Sequence, residues 1–221
     1  MLLRRLHNYI SPLIVVVIII LTMMACSTDK FIPDGEYLLD KVELHSDNKD
    51  VNQSLLIQYV RQKGNSRWFS LFKIPLGTYA MSGKDSMRWI NRTLRKMGEK
   101  PVVYDTLQAR LSCEDLTTAM RNMGYMNATV DIDKKVRGKK LTVIYNLHFG
   151  EPYIIDDFKY DIQDSVVAKV LANHLKSDTK RPRQFTVTSL DDERKRLTHI
   201  LNNSGFYRFH KDFIYYSADS I

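Results

Sequence analysis

The 221-residue chain is 44% apolar and carries a formal charge of +8. It is long enough for one or two domains with buried cores, and too apolar to be disordered throughout. The positive balance admits nucleic acid, anionic lipid or an acidic protein as partner.

The first seven residues are basic, with Arg4 and Arg5, and Leu13 to Ala25 contains no charge. As a helix this uncharged run extends about 20 Å, short of a hydrocarbon core of ~30 Å. It reads as the apolar part of a secretory signal over residues 1–25. The run ends Met23-Met24-Ala25-Cys26-Ser27. That resembles a bacterial lipobox, in which a small residue precedes the cysteine that receives diacylglycerol, although Met23 and Met24 depart from its commonest form. The resemblance makes Cys26 the lipidation site, and acyl chains at ~0.8 kcal/mol per buried methylene would anchor the chain on a membrane. By analogy with other lipoproteins, Ser27 favours release to the outer membrane. With Cys26 acylated, Cys113 has no disulfide partner and reads as a packed helix residue. The competing reading counts Tyr9 and Ile10 and makes the run an uncleaved signal anchor of ~20 residues.

Residues 26–35 read as a tether. Glu36 to Asp47 is a strand with Leu39, Val42 and Leu44 apolar, and Asn52 to Gln62 is a helix with Leu55, Leu56, Tyr59 and Val60 on one face. Thr106 to Asn122 is an amphipathic helix burying Leu107, Leu111, Leu116, Ala119, Met120 and Met123, and Gly124 ends it as a left-handed cap. Tyr125 to Lys134 and Lys139 to Phe149 alternate as strands, the second placing Leu141, Val143, Tyr145 and Leu147 on one face. Arg137-Gly138-Lys139 is the hairpin turn between them. The same order then restarts: a strand over Tyr153 to Ile162, a helix over Ser165 to Leu175, a helix over Ser189 to Ser204 capped by Thr188 or Ser189, and a strand over Phe206 to Tyr216.

This is an internal repeat. At an offset of 81 residues, Leu116, Met120, Asn122, Gly124 and Tyr125 fall on Leu197, Leu201, Asn203, Gly205 and Phe206. In each copy the glycine supplies the left-handed turn and the aromatic starts the next strand facing the core. The fold class is α+β, in tandem β-α-α-β-β units with a three-stranded sheet and two helices on one face. The first unit spans 36–150 and the second 151–221, which ends before a third strand.

Three stretches are similar to the POTRA domain, the periplasmic polypeptide-transport module of the outer-membrane barrel assembly family. They are Arg121-Asn122-Met123-Gly124-Tyr125, the run from Val143 through Gly150-Glu151-Pro152-Tyr153, and Asn202-Asn203-Ser204-Gly205-Phe206-Tyr207. A nearer resemblance is to the translocation and assembly module lipoproteins of Bacteroidota, relatives of BamA and TamA. It rests on the lipobox, on Ile32-Pro33-Asp34-Gly35 before Tyr37-Leu38-Leu39, and on Gly98-Glu99-Lys100-Pro101-Val102. The resemblance implies an outer-membrane, lipid-anchored protein facing the periplasm. It also implies partners among unfolded outer-membrane proteins and the machinery that assembles them. Client strands would pair with an exposed sheet edge, the second strand of each unit, Tyr125 to Lys134 and Phe206 to Tyr216. Members of that family continue into a membrane barrel; these 221 residues hold no such segment, so barrel-dependent activity is not carried over. Two other readings compete: a POTRA protein of the inner membrane, similar to the cell-division anchors, and a lipoprotein adaptor that handles no clients.

Residues 63–105 interrupt the first unit. From Arg61 to Lys100 ten Lys or Arg face only Asp85 and Glu99, so nearly the whole charge excess lies here. Asp85 to Met97 has helical spacing, with Met87, Ile90, Leu94 and Met97 apolar and the basic residues opposite. Arg67, Trp68, Phe69, Phe72, Lys73, Arg88, Trp89, Arg92 and Arg95 suit a membrane headgroup layer or a partner protein. The competing reading is that Trp68, Phe72 and Trp89 extend the core.

No phosphate loop, nucleophile elbow or His-Glu-x-x-His is present, and the six histidines lack metal-ligand spacing. No catalytic residue, metal or cofactor is expected, and nucleic acid is disfavoured by the export signal and the lack of a binding motif. Asp85-Ser86-Met87, Asp105-Thr106-Leu107, Asp164-Ser165-Val166 and Asp219-Ser220-Ile221 resemble O-glycosylation sites of Bacteroidota envelope proteins. Helix capping is the preferred reading at most of them.

Overall fold

A computed structural model describes residues 28–67, 73–83, 85–175 and 183–219. The expected signal over 1–25, the lipidation candidate Cys26, and Trp68, Phe69 and Phe72 lie outside these residues. The fold is α+β. Strands β1 (Leu38–Ser46), β2 (Thr129–Arg137) and β3 (Lys140–His148) form one sheet in the order β1-β3-β2. The Leu38 N–H donates to Lys139 O at 2.8 Å and the Asp47 N–H to Leu147 O at 3.2 Å, so β1 and β3 run parallel. The tight turn at Gly138, with φ of 60°, makes β2 and β3 an antiparallel hairpin. The central position of β3 explains its burial. Leu141, Val143, Tyr145 and Leu147 are buried as their alternation requires, and Ile144 is buried on the opposite face.

The described residues include helices α1 (Gln53–Leu56), α2 (Ile74–Met81), α3 (Trp89–Met97), α4 (Thr106–Asn122), α5 (Ser165–Leu175) and α6 (Val187–Asn203). Helices α4 and α5 keep the bounds that their periodicity predicts. The Asp105 carboxylate caps α4 by accepting from Leu107 N at 2.7 Å, and Asp164 caps α5 by accepting from Val166 N at 2.7 Å. Helix α6 begins at Val187 because Thr186, and neither Thr188 nor Ser189, is its cap, accepting from Ser189 N at 3.0 Å. Leu116, Ala119 and Met120 of α4 are buried, whereas Leu107 is exposed in its first turn.

Several expected elements are shorter. Only one turn of α1 is α-helical, followed by a 3-10 turn over Ile57–Tyr59. The Arg61 N–H goes to Ser112 Oγ (3.0 Å) instead of continuing a helix to Gln62. Leu56 and Val60 are buried, and Leu55 and Tyr59 are exposed. Helix α3 starts at Trp89, after Asp85 has closed a turn by accepting from Met87 N at 2.9 Å. The strand expected over Tyr153 to Ile162 is reduced to β4 (Ile154–Ile155), antiparallel to β5 (Arg183–Gln184). The run Phe206 to Tyr216 forms no strand. It turns at Lys211–Phe213 and packs by its side chains, with Ile214 against the Leu171, Leu197 and Leu201 cluster.

The chain divides into two compact units, neither of them a single run of sequence. One comprises the stretch ending at His45, 60–113 and 131–146; the other comprises 46–59, 114–130 and the stretch from Leu147. In the first, the segment expected as a tether is packed. Thr28–Phe31 is a 3-10 turn, Phe31 meets Tyr79 edge-on at 5.0 Å, and Ile32 joins a buried cluster with Leu38 and Leu76. In the second, Leu171, Leu197 and Leu201 form a core flanked by Tyr160, Ile162, Val167 and Phe206.

Candidate functional site

The two ends of the repeat have the same backbone geometry. At the end of α4 the Gly124 N–H donates to Arg121 O (2.8 Å) and the Tyr125 N–H to Met120 O (3.1 Å). At the end of α6 the Gly205 N–H donates to Asn202 O (3.2 Å) and the Phe206 N–H to Leu201 O (3.0 Å). Both are Schellman caps, with glycine φ of 95° and 98°. The chain then turns alike, the Ala128 N–H reaching Tyr125 O and the Phe209 N–H reaching Phe206 O. Only the first cap is a junction. Tyr125 packs edge-on to Phe149 at 4.8 Å, and its hydroxyl accepts from Asn48 Nδ2 at 3.2 Å. Gly124 O accepts from Tyr153 N at 2.8 Å, and Gln184 Nε2 donates to Met123 O at 2.8 Å. Gly150, with φ of 67°, makes the turn between Phe149 and Tyr153.

The two outer strands of the sheet differ. Beside β1, the Leu39 N–H donates to Val102 O and the Tyr104 N–H to Tyr37 O, both at 2.8 Å, and Leu38 bridges Val103. The next carbonyl along, Asp40 O, accepts from Lys73 Nζ at 2.8 Å. The far end of residues 63–105 therefore closes the first half of that edge. Lys73 also pairs with the Asp40 carboxylate at 2.8 Å, and Arg67 approaches it at 3.6 Å. Burial opposes ionisation of Asp40, but these two cations hold its carboxyl below the ordinary value. Lys73 and Arg67, expected to face a membrane or partner, are instead turned toward β1.

Strand β2 lies at the other rim, and no further strand lies beyond it among the described residues. Its side chains are mostly exposed. Asp133 accepts from Asn146 Nδ2 across the strand pair at 2.8 Å, and Lys134 Nζ stands 4.9 Å from the Tyr104 ring. Charged edge residues are a recognised guard against indiscriminate edge-to-edge pairing.

The Gly98-Glu99-Lys100-Pro101-Val102 segment is a joint within the first unit. The Glu99 N–H donates to Pro75 O at 2.9 Å, and the Glu99 carboxylate accepts from Ser66 N at 2.9 Å. Burial opposes its charge, yet the Ser66 hydrogen bonds keep its pKa lowered. Buried Asn65 donates to Lys100 O (2.8 Å) and accepts from Val102 N (3.1 Å). Helices α2 and α3 pack together above this joint.

The contact face of α3 is polar. Asn91 accepts from Gly83 N at 2.9 Å and donates to Asp85 O at 2.6 Å. Arg95 donates to Ser82 Oγ (3.2 Å) and Gly83 O (2.7 Å), and its guanidinium lies over the Phe31 and Tyr79 rings at 5.4 and 5.9 Å. Lys30 Nζ joins the same group, donating to Ser82 O at 2.7 Å. Arg95 thus points into the domain, whereas Arg88, Trp89 and Arg92 are exposed. Periodicity alone gave no sign of the roles of Lys30, Asn65 and Ser82. The polar spacing of Asn91 and Arg95 on α3 was the available signal.

In the second unit, Glu193 is 3% exposed and takes two hydrogen bonds from Arg196 (2.8 and 2.7 Å) and one from the Tyr160 hydroxyl (3.1 Å). Burial pushes its pKa up, but these donors leave it lowered. Asp191, hydrogen-bonded by Lys195 and then Lys211, is lowered to about 2. These are ion pairs within the second unit. The hollow lined by Phe206, Phe209 and Phe213 is shallow and open. Among the described residues no group of three or more His, Cys, Asp or Glu could hold a metal ion. No helix there is long and apolar enough to cross a membrane. Cys113 is a half-buried thiol on α4. No protein-family model and no curated protein matches the sequence.

Proposed function

We propose that this protein is a non-enzymatic lipoprotein of the bacterial outer membrane. In this reading it is held by acylated Cys26, faces the periplasm, and takes up extended strands of unfolded outer-membrane proteins by β-augmentation at β2. The observation that supports it is the asymmetry of the sheet. Residues 102–104 close the first half of the β1 edge, while β2 stands at the outer rim with no further strand beside it among the described residues. An added strand would satisfy those N–H and C=O groups, so affinity would come from the backbone and tolerate many client sequences. The run Phe206 to Tyr216 is not part of this proposal, since it forms no strand.

The test is an NMR titration of the full chain in lipid nanodiscs with an unfolded barrel-protein peptide. The expected result is progressive shifts at Thr129–Arg137 amides, with Lys41–Ser46 amides moving less. Shifts confined to other elements, or none at millimolar peptide, would reject strand capture. Mass spectrometry of the mature N-terminus checks the anchor separately, and an intact Met1 would refute it.

A further inference from the structure

We propose that α3 is an interfacial helix that lays its outer face into the headgroup layer of an anionic bilayer. The helix is inside out. The side that meets its own domain carries Asn91 and Arg95, whose polar atoms are bound to Ser82, Gly83 and Asp85. At 100° per residue Trp89, Thr93 and Met97 form one stripe with Ile90 beside it, and that stripe faces outward. Trp89 is 74% exposed, Ile90 52% and Met97 72%; Met87, just before the helix, is 78% exposed. A solvent-facing helix side is normally polar, so this arrangement exposes apolar surface that the domain itself does not use.

Charge selects the occupant. Arg88, Arg92 and Lys96 run along one flank of the stripe and are exposed. The segment Arg61 to Lys100 has ten basic residues against two acidic ones. Aromatic and aliphatic side chains bordered by Arg and Lys match the boundary between acyl chains and phosphates, where such helices sink ~5–10 Å. Position favours the same occupant, and this part rests on the lipid anchor proposed above. Cys26 lies five residues before Phe31, a reach of at most ~18 Å. Phe31 is packed on Tyr79 of α2 and under Arg95 of α3. A lipid at residue 26 would therefore keep the α2–α3 hairpin at the membrane surface.

The experiment uses the full chain in vesicles of phosphatidylcholine alone or with phosphatidylglycerol. The difference in emission between wild type and Trp89→Phe isolates Trp89 from Trp68. With phosphatidylglycerol, Trp89 emission should move to shorter wavelength and be quenched by lipids brominated on the acyl chains. Arg92→Glu/Lys96→Glu should lower the inserted-to-free ratio of Trp89 by about tenfold or more, given ~1 kcal/mol per basic residue at an anionic surface. Neither side chain is part of the α2–α3 contact, so the far-ultraviolet circular dichroism should be unchanged. Unquenched Trp89 in both vesicles, or equal quenching in both that survives the double charge reversal, would overturn the proposal. Protection of Trp89 only after a second protein is added would assign the face to a protein partner instead. Failure here is separable from failure of strand capture, which is read at β2, and of acylation, which is read by mass.

Discussion

The paired glycine caps allow a matched substitution test. Gly124 and Gly205 have nearly the same φ and the same hydrogen bonds, and both belong to the second unit. Their surroundings differ. A Cβ at Gly205 would meet nothing within 4 Å, whereas one at Gly124 would lie 2.8 Å from Phe185 O and 3.0 Å from Gln184 Cγ. Gly205→Ala therefore costs only left-handed backbone strain, ~1–2 kcal/mol, partly offset by ~0.4–1 kcal/mol from a less flexible unfolded chain, for a net of about 1 kcal/mol. Gly124→Ala adds an overpacking term of ~1–3 kcal/mol against a backbone carbonyl, for a total near ~3 kcal/mol. Asparagine separates the two terms. It tolerates the left-handed region but still carries a Cβ, so Gly205→Asn should be nearly neutral and Gly124→Asn should remain costly. Urea unfolding followed by hydrogen exchange of α6 amides reads the four variants on one element. Equal costs at both positions would refute the close approach of Phe185 as the reason for glycine at 124.

The joint beneath α2 and α3 should be equally intolerant of a side chain. At Gly98 a Cβ would lie 2.8 Å from Pro75 O and from Tyr79 Cα, and closest of all to Tyr79 N. Gly98→Ala should then force the two helices apart at ~2–4 kcal/mol, an overpacking cost plus one weakened backbone hydrogen bond. Faster hydrogen exchange over 74–97 is the readout, and unchanged exchange would contradict it. The second unit should lose stability in acid. Glu193 and Asp191 both have lowered folded pKa values, so their contributions are present above the ordinary values of 4.5 and 3.8. They are lost as pH falls, for Asp191 toward about 2. Lys195, raised by Asp191, contributes below its ordinary 10.5 and loses that contribution as pH rises beyond it. A melting temperature of α6 that stays flat from pH 5 to about pH 2 would contradict these pairings.

Residues whose local signal and tertiary role agree were legible in the sequence. Helix α4 is long, has Asp105 at its start and Gly124 at its end, and folds over the expected residues. Strand β3 places Leu141, Val143, Tyr145 and Leu147 on one buried face as its alternation predicts, and Ile144 departs from that pattern because β3 is central and covered on both faces. Elsewhere the missing information was a partner. Phe206 to Tyr216 is rich in aromatic residues, but a strand needs a neighbouring ladder, and here Phe209 and Phe213 pack against each other at 5.7 Å instead. Lys30 and Phe31 follow a polar stretch and read as tether; what orders them is Tyr79 and Ser82, some fifty residues away in sequence. For α3, periodicity revealed an apolar and a basic side without revealing which would turn inward. Arg95 reversed the usual choice because two aromatic rings and two oxygen acceptors are available to a guanidinium that faces the domain.

Residues 63–105 join two otherwise unrelated features. A bare β1 would be a second pairing edge, and a sheet with two open rims could nucleate association on either side. By placing Val102 and Tyr104 against Tyr37 to Leu39, and Lys73 on Asp40, the insertion shields the first half of one rim and leaves β2 available. The same segment carries α2 and α3, so the shielded rim and the outward apolar stripe are fixed to one rigid joint at Gly98 and Asn65. Loss of that joint should therefore have two consequences together. Gly98→Ala should expose the β1 edge to exchange and weaken Trp89 insertion, while leaving the Gly124 junction of the second unit intact. If β1 exchange rose with Trp89 insertion unaffected, the edge and the helix would be independent, and the insertion would have to be understood as two devices rather than one.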